Sequence, residues 1–211
     1  MRRKNWQPLQ PEQILQIVTR KEEPSSLKTI LILAANPKNL TPLRLSEEVR
    51  EIDEALHRSQ KHGQFRLKQK WAVRAIDVRR ALLDHEPQIV HFCGHGSGNE
   101  GLVLEDENGQ SKILSTEALA NTFELCAEHV ECVLLNACYS EVQAEAIIKY
   151  IDYVIGMSDA IEDTAAINFA TGFYDALGAG KSLDNAYKWG CNAIQSENLP
   201  DHLKPKLKKK K

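Results

Sequence analysis

Residues Leu27–Ala35 read Leu-Lys-Thr-Ile-Leu-Ile-Leu-Ala-Ala, an apolar run interrupted by a single charge. It has the length of a strand and lacks the polar alternation of a half-exposed one, so it predicts a strand covered on both faces, as in a parallel sheet. Gln88–Cys93, Val130–Ala137 and Asp152–Met157 repeat the pattern. Phe65–Lys70 differs: Phe65, Leu67 and Gln69 alternate with Arg66, Lys68 and Lys70, the period of a half-exposed edge strand. Between these runs the apolar positions recur at helical spacing. Leu45, Val49, Ile52 and Leu56 make one face of a helix over Ser46–His57, and Ile76, Val78, Leu82 and Leu83 make a face of a second over Ala75–Asp84. Further helices are expected from Ser115 to about Glu128, over Glu141–Ile151 and Thr164–Leu177, and, after Gly178-Ala-Gly180, over Ser182–Gln195. Gly101–Leu114 holds two short apolar runs around Asn108-Gly109, the dipeptide of a β-hairpin. Strands thus alternate with helices from residue 27 to 196 with one hairpin between them, which predicts an α/β fold: a mostly parallel sheet with helices on both faces.

Composition narrows the class without naming a function. The 211 residues, 42% hydrophobic and 27% charged, suit one soluble domain. No apolar run approaches the ~20 residues of a membrane-spanning helix, and no apolar stretch follows Met1-Arg-Arg-Lys, so neither a span nor a secretory signal is expected and the location expected is the cytoplasm. Five cysteines, Cys93, Cys126, Cys132, Cys138 and Cys191, show no paired spacing and read as reduced thiols. The formal net charge is −2, yet Lys204–Lys211 holds six lysines and no acid, so the rest of the chain is acidic. That lysine run reads as a solvated terminus, and no nucleic-acid partner is expected from it. Residues 1–26, with Pro8, Pro11 and Pro24 around a short amphipathic stretch over Glu12–Arg20, read as a leader that packs on the domain or serves as an adaptor.

Candidate chemistry collects where two of the buried strands stop. Gln88-Ile-Val-His-Phe-Cys runs into Gly94-His95-Gly96-Ser-Gly98, and Val130-Glu-Cys-Val-Leu-Leu-Asn-Ala runs into Cys138-Tyr-Ser. Loops beyond the C-terminal ends of parallel strands are where open α/β sheets build their sites. If the two strands are neighbours, His95 and Cys138 share one rim, a thiol beside its base. Cys138 also precedes a helix, whose first N–H groups favour a thiolate and could hold an oxyanion. His91, Cys93 and His95 lie two apart and with Cys138 could offer four zinc ligands, but a His91 buried with its ring satisfied fits a strand interior better, and no metal or cofactor is implied. Asp159 and Asp163 follow the last parallel strand. Either carboxylate could select a basic side chain; Asp163 reads first as an acid favoured at a helix start, while Asp159 is open to both roles. The loop Ala34-Ala-Asn-Pro-Lys-Asn lacks the glycines of a pyrophosphate cradle, against a dinucleotide-binding role.

Three motifs in order, His91-Phe-Cys-Gly-His-Gly, Leu134-Leu-Asn-Ala-Cys-Tyr-Ser and Val154-Ile-Gly-Met followed by Asp163, Ala165-Ala166, Phe169-Ala170, Phe173-Tyr174, Leu177, Gly180 and Ser182, resemble the CHAT domain. CHAT domains are caspase-like modules similar to caspases, metacaspases and separases. The resemblance implies a three-layer caspase-like fold over residues 27–200, between the 1–26 leader and a 201–211 basic tail. It implies a cysteine endopeptidase acting on protein or peptide substrates, with His95 as base, Cys138 as nucleophile, and the Gly96 and Cys138 N–H groups as oxyanion hole. Metacaspases and separases select basic residues through acids, so Asp159 or Asp163 would suit Lys or Arg. The sequence departs from the family pattern at Ser158-Asp159, where Gln and an aromatic residue are expected, and it carries no tetratricopeptide repeats. A regulated effector recruited by an adaptor protein is the expected role; the alternative is a catalytically inactive scaffold of the same fold.

Overall fold

The computed structural model describes residues 27–58 and 62–211, so the expected 1–26 leader lies outside the described residues. The first buried run forms β1 (Lys28–Ala34), and the alternating run forms β2 (Phe65–Trp71) beside it in parallel register. On the other side of β1 comes β3 (Ile89–Cys93), then β7 (Cys132–Asn136) and β8 (Tyr153–Met157), all parallel. The short β4 (His95–Gly96) joins β5 (Gly101–Glu105) and β6 (Ser111–Ser115) in a separate antiparallel sheet, the expected hairpin. Asp106 Oδ1 accepts the N–H groups of Asn108 and Gln110, both at 2.8 Å, and closes its turn.

Each central strand feeds two cores because its side chains alternate between faces. From β1, Ile30, Ile32 and Ala34 enter a cluster with Val49 and Ile52 of α1 (Leu45–Arg58), Phe169 and Phe173 of α5 (Asp163–Gly178), and Ile194 of α6 (Leu183–Ser196). Leu31 and Leu33 enter the opposite cluster with Val78 and Leu82 of α2 (Ala75–His85), Phe123 of α3 (Thr116–Glu124) and Ile147 of α4 (Glu141–Ile147). The expected three layers result. Helices α3 and α4 stop short of the expected Glu128 and Ile151; beyond them the chain tightens into i→i+3 bonds such as Cys126 N–H to Phe123 O (3.3 Å) and Tyr150 N–H to Ile147 O (2.9 Å).

The lysine-rich end corrects its expectation as a solvated terminus. Pro205–Lys209 is β9, antiparallel to β8 and sixth in the sheet order β2-β1-β3-β7-β8-β9. Two of its lysines have acidic partners: Lys208 Nζ reaches Glu141 at 2.6 Å and Glu145 at 3.1 Å, and Lys209 pairs with Asp184. Lysines on an edge strand also discourage pairing with another chain.

Candidate active site

Register brings the two motif strands together. β3 and β7 are neighbours with Cys93 opposite Asn136, and Gly94 N–H donates to Asn136 O at 3.4 Å, so the chain leaves both strands at one rim. A Cβ placed on Gly96 would stand 2.0 Å from the Cys138 carbonyl oxygen, so only glycine permits the two loops to touch. His95 and Cys138, both half-buried, line one small pocket of about 40 Å3, together with Leu43, Glu48, Asn136 and Asp163.

His95 is oriented by the loop that follows β1. Asn36 clamps residues 36–43: its Nδ2 donates to Leu43 O at 3.1 Å and its Oδ1 accepts the Leu43 N–H at 3.2 Å. The loop so held turns the Thr41 carbonyl to within 3.0 Å of His95 Nε2. A carbonyl only accepts, so Nε2 carries the proton and Nδ1 is the basic nitrogen. Partial burial pushes the His95 ring below the ordinary histidine value, against the opposing pull of Thr41 and the Asp163 charge, so it stands neutral at pH 7.

Cys138 sits at a sharp turn. Tyr139 adopts φ = 56°, a left-handed conformation unusual for a tyrosine and met here directly after the candidate nucleophile. Buried Ser140 pins the turn, its Oγ donating to Leu135 O at 2.8 Å and accepting the Met157 N–H at 3.0 Å. The Cys138 thiol points toward Ile161 O at 3.8 Å. Among the described residues no group accepts the Cys138 N–H. Ser97 N–H donates to Gly101 O at 2.9 Å, so the alternation of the antiparallel ladder turns the Gly96 N–H away from β5. Among the described residues neither candidate oxyanion donor therefore has an acceptor.

Beneath the pocket lies a buried polar network. Glu48 Oε1 is 2.8 Å from His91 Nε2 and 2.7 Å from Asn136 Nδ2, which also donates to Ala166 O at 3.0 Å. Those two acceptors fix the amide orientation and leave Asn136 Oδ1 buried without a partner among the described residues. The other His91 nitrogen, Nδ1, meets the Tyr174 hydroxyl at 3.2 Å; burial holds that hydroxyl protonated, so it can donate. Glu48, His91 and Cys93 are close enough to hold a cation. Both ring nitrogens of His91 are already engaged, however, and burial pushes the Cys93 thiol well up, so hydrogen bonding accounts for the cluster. The four-ligand zinc arrangement with His95 and Cys138 does not form: His95 is turned to Thr41 and Cys138 to Ile161.

The two aspartates differ. Asp163 lines the pocket and, as expected, is an acid in the first turn of α5; its Oδ2 also accepts from Arg44 N–H at 3.0 Å and Arg44 Nε at 3.2 Å, tying the start of α5 to that of α1. Asp159 is exposed, bonded to its neighbour Ala160 N–H at 2.7 Å and to the Tyr139 hydroxyl, which together hold its carboxyl below the usual range. Sequence reading missed Thr41, Arg44, Glu48 and Asn136. A signal existed for two of them: Glu48 interrupts the apolar stripe of Leu45, Val49 and Ile52, and Asn136 is the polar residue that closes the Cys132–Leu135 run.

A buried parallel sheet that delivers an imidazole and a thiol to one rim defines a caspase-like architecture, and the comparisons agree. The model of the CHAT domain matches residues 3–195, and the chain belongs to that family. A Roc-COR-CHAT protease from an unidentified prokaryote is 26% identical over 180 residues, 82% of this chain and 17% of the relative. A probable protease of Gillisia limnaea is 25% identical over 177 residues, 82% of this chain and 31% of that protein. The chain therefore spans less than a third of either relative. Among solved structures, caspase-1 from Spodoptera frugiperda superposes with a TM-score of 0.57 at 11% identity, covering 88% of this chain and 87% of that one. A secreted C11 cysteine protease of Bacteroides thetaiotaomicron gives 0.56 at 13% identity, covering 81% and 62%. The Arg-specific cysteine proteinase gingipain R gives 0.57 at 12% identity, covering 83% and 43%.

Proposed function

We propose that the chain is a cysteine endopeptidase in which His95 and Cys138 act as a dyad. The observation that carries this reading is the convergence of the two residues on one pocket, with His95 Nε2 committed to the Thr41 carbonyl and Nδ1 left as base. In the reaction, His95 Nδ1 takes the Cys138 proton and the thiolate attacks the scissile carbonyl carbon. The Gly96 and Cys138 N–H groups hold the resulting oxyanion. His95 then gives its proton to the leaving amine as the C–N bond breaks, which leaves a thioester on Cys138. Water, deprotonated by the same ring, releases the acid and restores the thiol.

The substrate class follows from the charge around the pocket. Glu48 and Asp163 line it, Asn136 Oδ1 is an unspent acceptor there, and Asp159 stands in the adjoining 158–162 loop, so a Lys or Arg side chain next to the cleaved bond is the complementary ligand. About 40 Å3 admits a few waters rather than a long side chain, so the 158–162 loop must move for a substrate to enter. That restriction supports a regulated effector, switched by whatever moves the loop. The test is cleavage of a peptide library by the wild type, Cys138→Ala and His95→Ala. Cleavage after Lys or Arg that both substitutions abolish is expected; cleavage surviving either one overturns the dyad.

A further inference from the structure

The wall of the pocket is held from a segment that the family match does not cover. Residues 158–162 touch the nucleophile and the residue after it: Ile161 O meets the Cys138 thiol at 3.8 Å, and Asp159 O accepts the Tyr139 N–H at 3.3 Å. Loop carbonyls of this kind stay in place only if the rest of the loop is anchored. Here the anchor is the turn between α6 and β9. Lys204 O accepts both the Ser158 N–H at 2.9 Å and the Ser158 hydroxyl at 3.1 Å, and Lys204 Nζ donates to Ala160 O. Asp201, only 2% exposed, accepts the Glu162 N–H on Oδ2 at 3.0 Å and holds Lys204 Nζ on Oδ1 at 2.6 Å. Pro205 then enters β9 opposite Met157, so sheet pairing begins where the strap ends. Residues 160 and 162 are tied down by one buried carboxylate and the lysine side chain it orients, and residue 158 by the main-chain carbonyl of that lysine. Burial pushes the Asp201 carboxyl up, but Lys204 and the Glu162 N–H outweigh it and keep the group ionised.

We propose that Asp201 and Lys204 are positioning residues for the active site: they hold the 158–162 loop against Cys138 and so set access to the thiol and the selectivity of the pocket. Both lie beyond residue 195, where the family match ends. The selectivity part rests on the peptidase reading above; the restraint on the thiol does not. The test compares wild type, Asp201→Asn and Lys204→Met by hydrogen exchange and by timed iodoacetamide labelling of each cysteine. Expected in both variants is exchange over residues 158–162 at least tenfold faster, and alkylation of Cys138 at least threefold faster. Cys126, also half-buried but packed on the opposite core, serves as internal control and keeps its rate. Faster labelling at Cys126 as well as Cys138 marks general loosening and overturns the proposal, as do unchanged rates at Cys138. If Asp201→Asn does not fold, Lys204→Met, whose side chain is partly exposed, carries the test. Where the wild type cleaves peptides, both variants lose discrimination between Arg and Ala before the scissile bond at least fivefold; undiminished discrimination refutes the selectivity part alone. A wild type that cleaves nothing refutes the peptidase reading and leaves the labelling result to decide the restraint.

Discussion

Replacing His91 with Leu removes the donor that faces Glu48 and the partner of the Tyr174 hydroxyl while keeping an apolar side chain in β3. His91 is fully buried and Glu48 is 2% exposed, so water cannot replace the lost contacts. Breaking one side of such a buried pair costs about 3–5 kcal/mol, because it strands a charge rather than merely losing an attraction. With a urea dependence of about 2 kcal/mol per molar, the unfolding midpoint falls by roughly 1.5–2.5 M. The companion double variant Glu48→Met/His91→Leu removes both polar groups together. Asn136 Nδ2 keeps the Ala166 carbonyl and the Tyr174 hydroxyl lacks its ring partner in the single and the double variant alike, so the difference between them isolates the stranded Glu48, and an apolar pair of similar volume recovers more than about 2 kcal/mol of the loss. The assay is equilibrium urea unfolding followed by circular dichroism, single and double variants side by side. A single variant within about 1 kcal/mol of wild type, or a double variant no better than the single, would refute the view that this network is a closed ion-and-hydrogen-bond cluster.

Further outcomes follow from the same geometry. Because burial depresses the His95 value, the acidic limb of kcat/KM has its midpoint below pH 6.5; the sign is that of a group that resists protonation when folded, so activity and the associated stability are present above that range and fall as the pH drops through it. A midpoint above pH 7 removes His95 as the buried base. Gly96→Ala drives a methyl into the Cys138 carbonyl and costs about 1–3 kcal/mol by overpacking, with peptidase activity down at least a hundredfold; near-normal turnover would mean that the loops are not in contact. Asp163→Asn leaves thermal stability nearly unchanged, since its partly exposed pair with Arg44 contributes about 0.2–1 kcal/mol, but it lowers the preference for basic over neutral substrates, read as a ratio of kcat/KM values.

Much of the architecture is legible in hydrophobic periodicity because burial on both faces leaves a strand no polar alternation: Ile30, Leu31, Ile32 and Leu33 report two cores at once. The meeting of His95 and Cys138 follows once β3 and β7 are taken as parallel neighbours, since Cys93 opposite Asn136 places the next residues of both chains at one rim. Strand β9 escaped because its partners are remote. Lys208 is neutralised by Glu141 and Glu145, more than sixty residues away, and a lysine-rich stretch looks solvated until those acids are placed beside it. Thr41 escaped for another reason: it acts through its backbone carbonyl, so its side-chain identity carries no signal. Asp163 opens α5 as the acid its place suggested, but its pairing with Arg44 at the head of α1, 119 residues away, carried no local signal. Local rules named the elements; the polar contacts between distant elements had to be seen.

The central claim is that Cys138 is a nucleophile activated by His95 and approached by a basic side chain. The measurement that bears on it most directly is peptide mapping after treatment with a peptidyl electrophile whose last residue is Arg. A single adduct on Cys138, suppressed at least tenfold in His95→Ala and by replacing Arg with Glu in the probe, is the predicted result. Equal modification of Cys126, Cys138 and Cys191, or labelling of Cys138 that ignores both His95 and the charge of the probe, would contradict it.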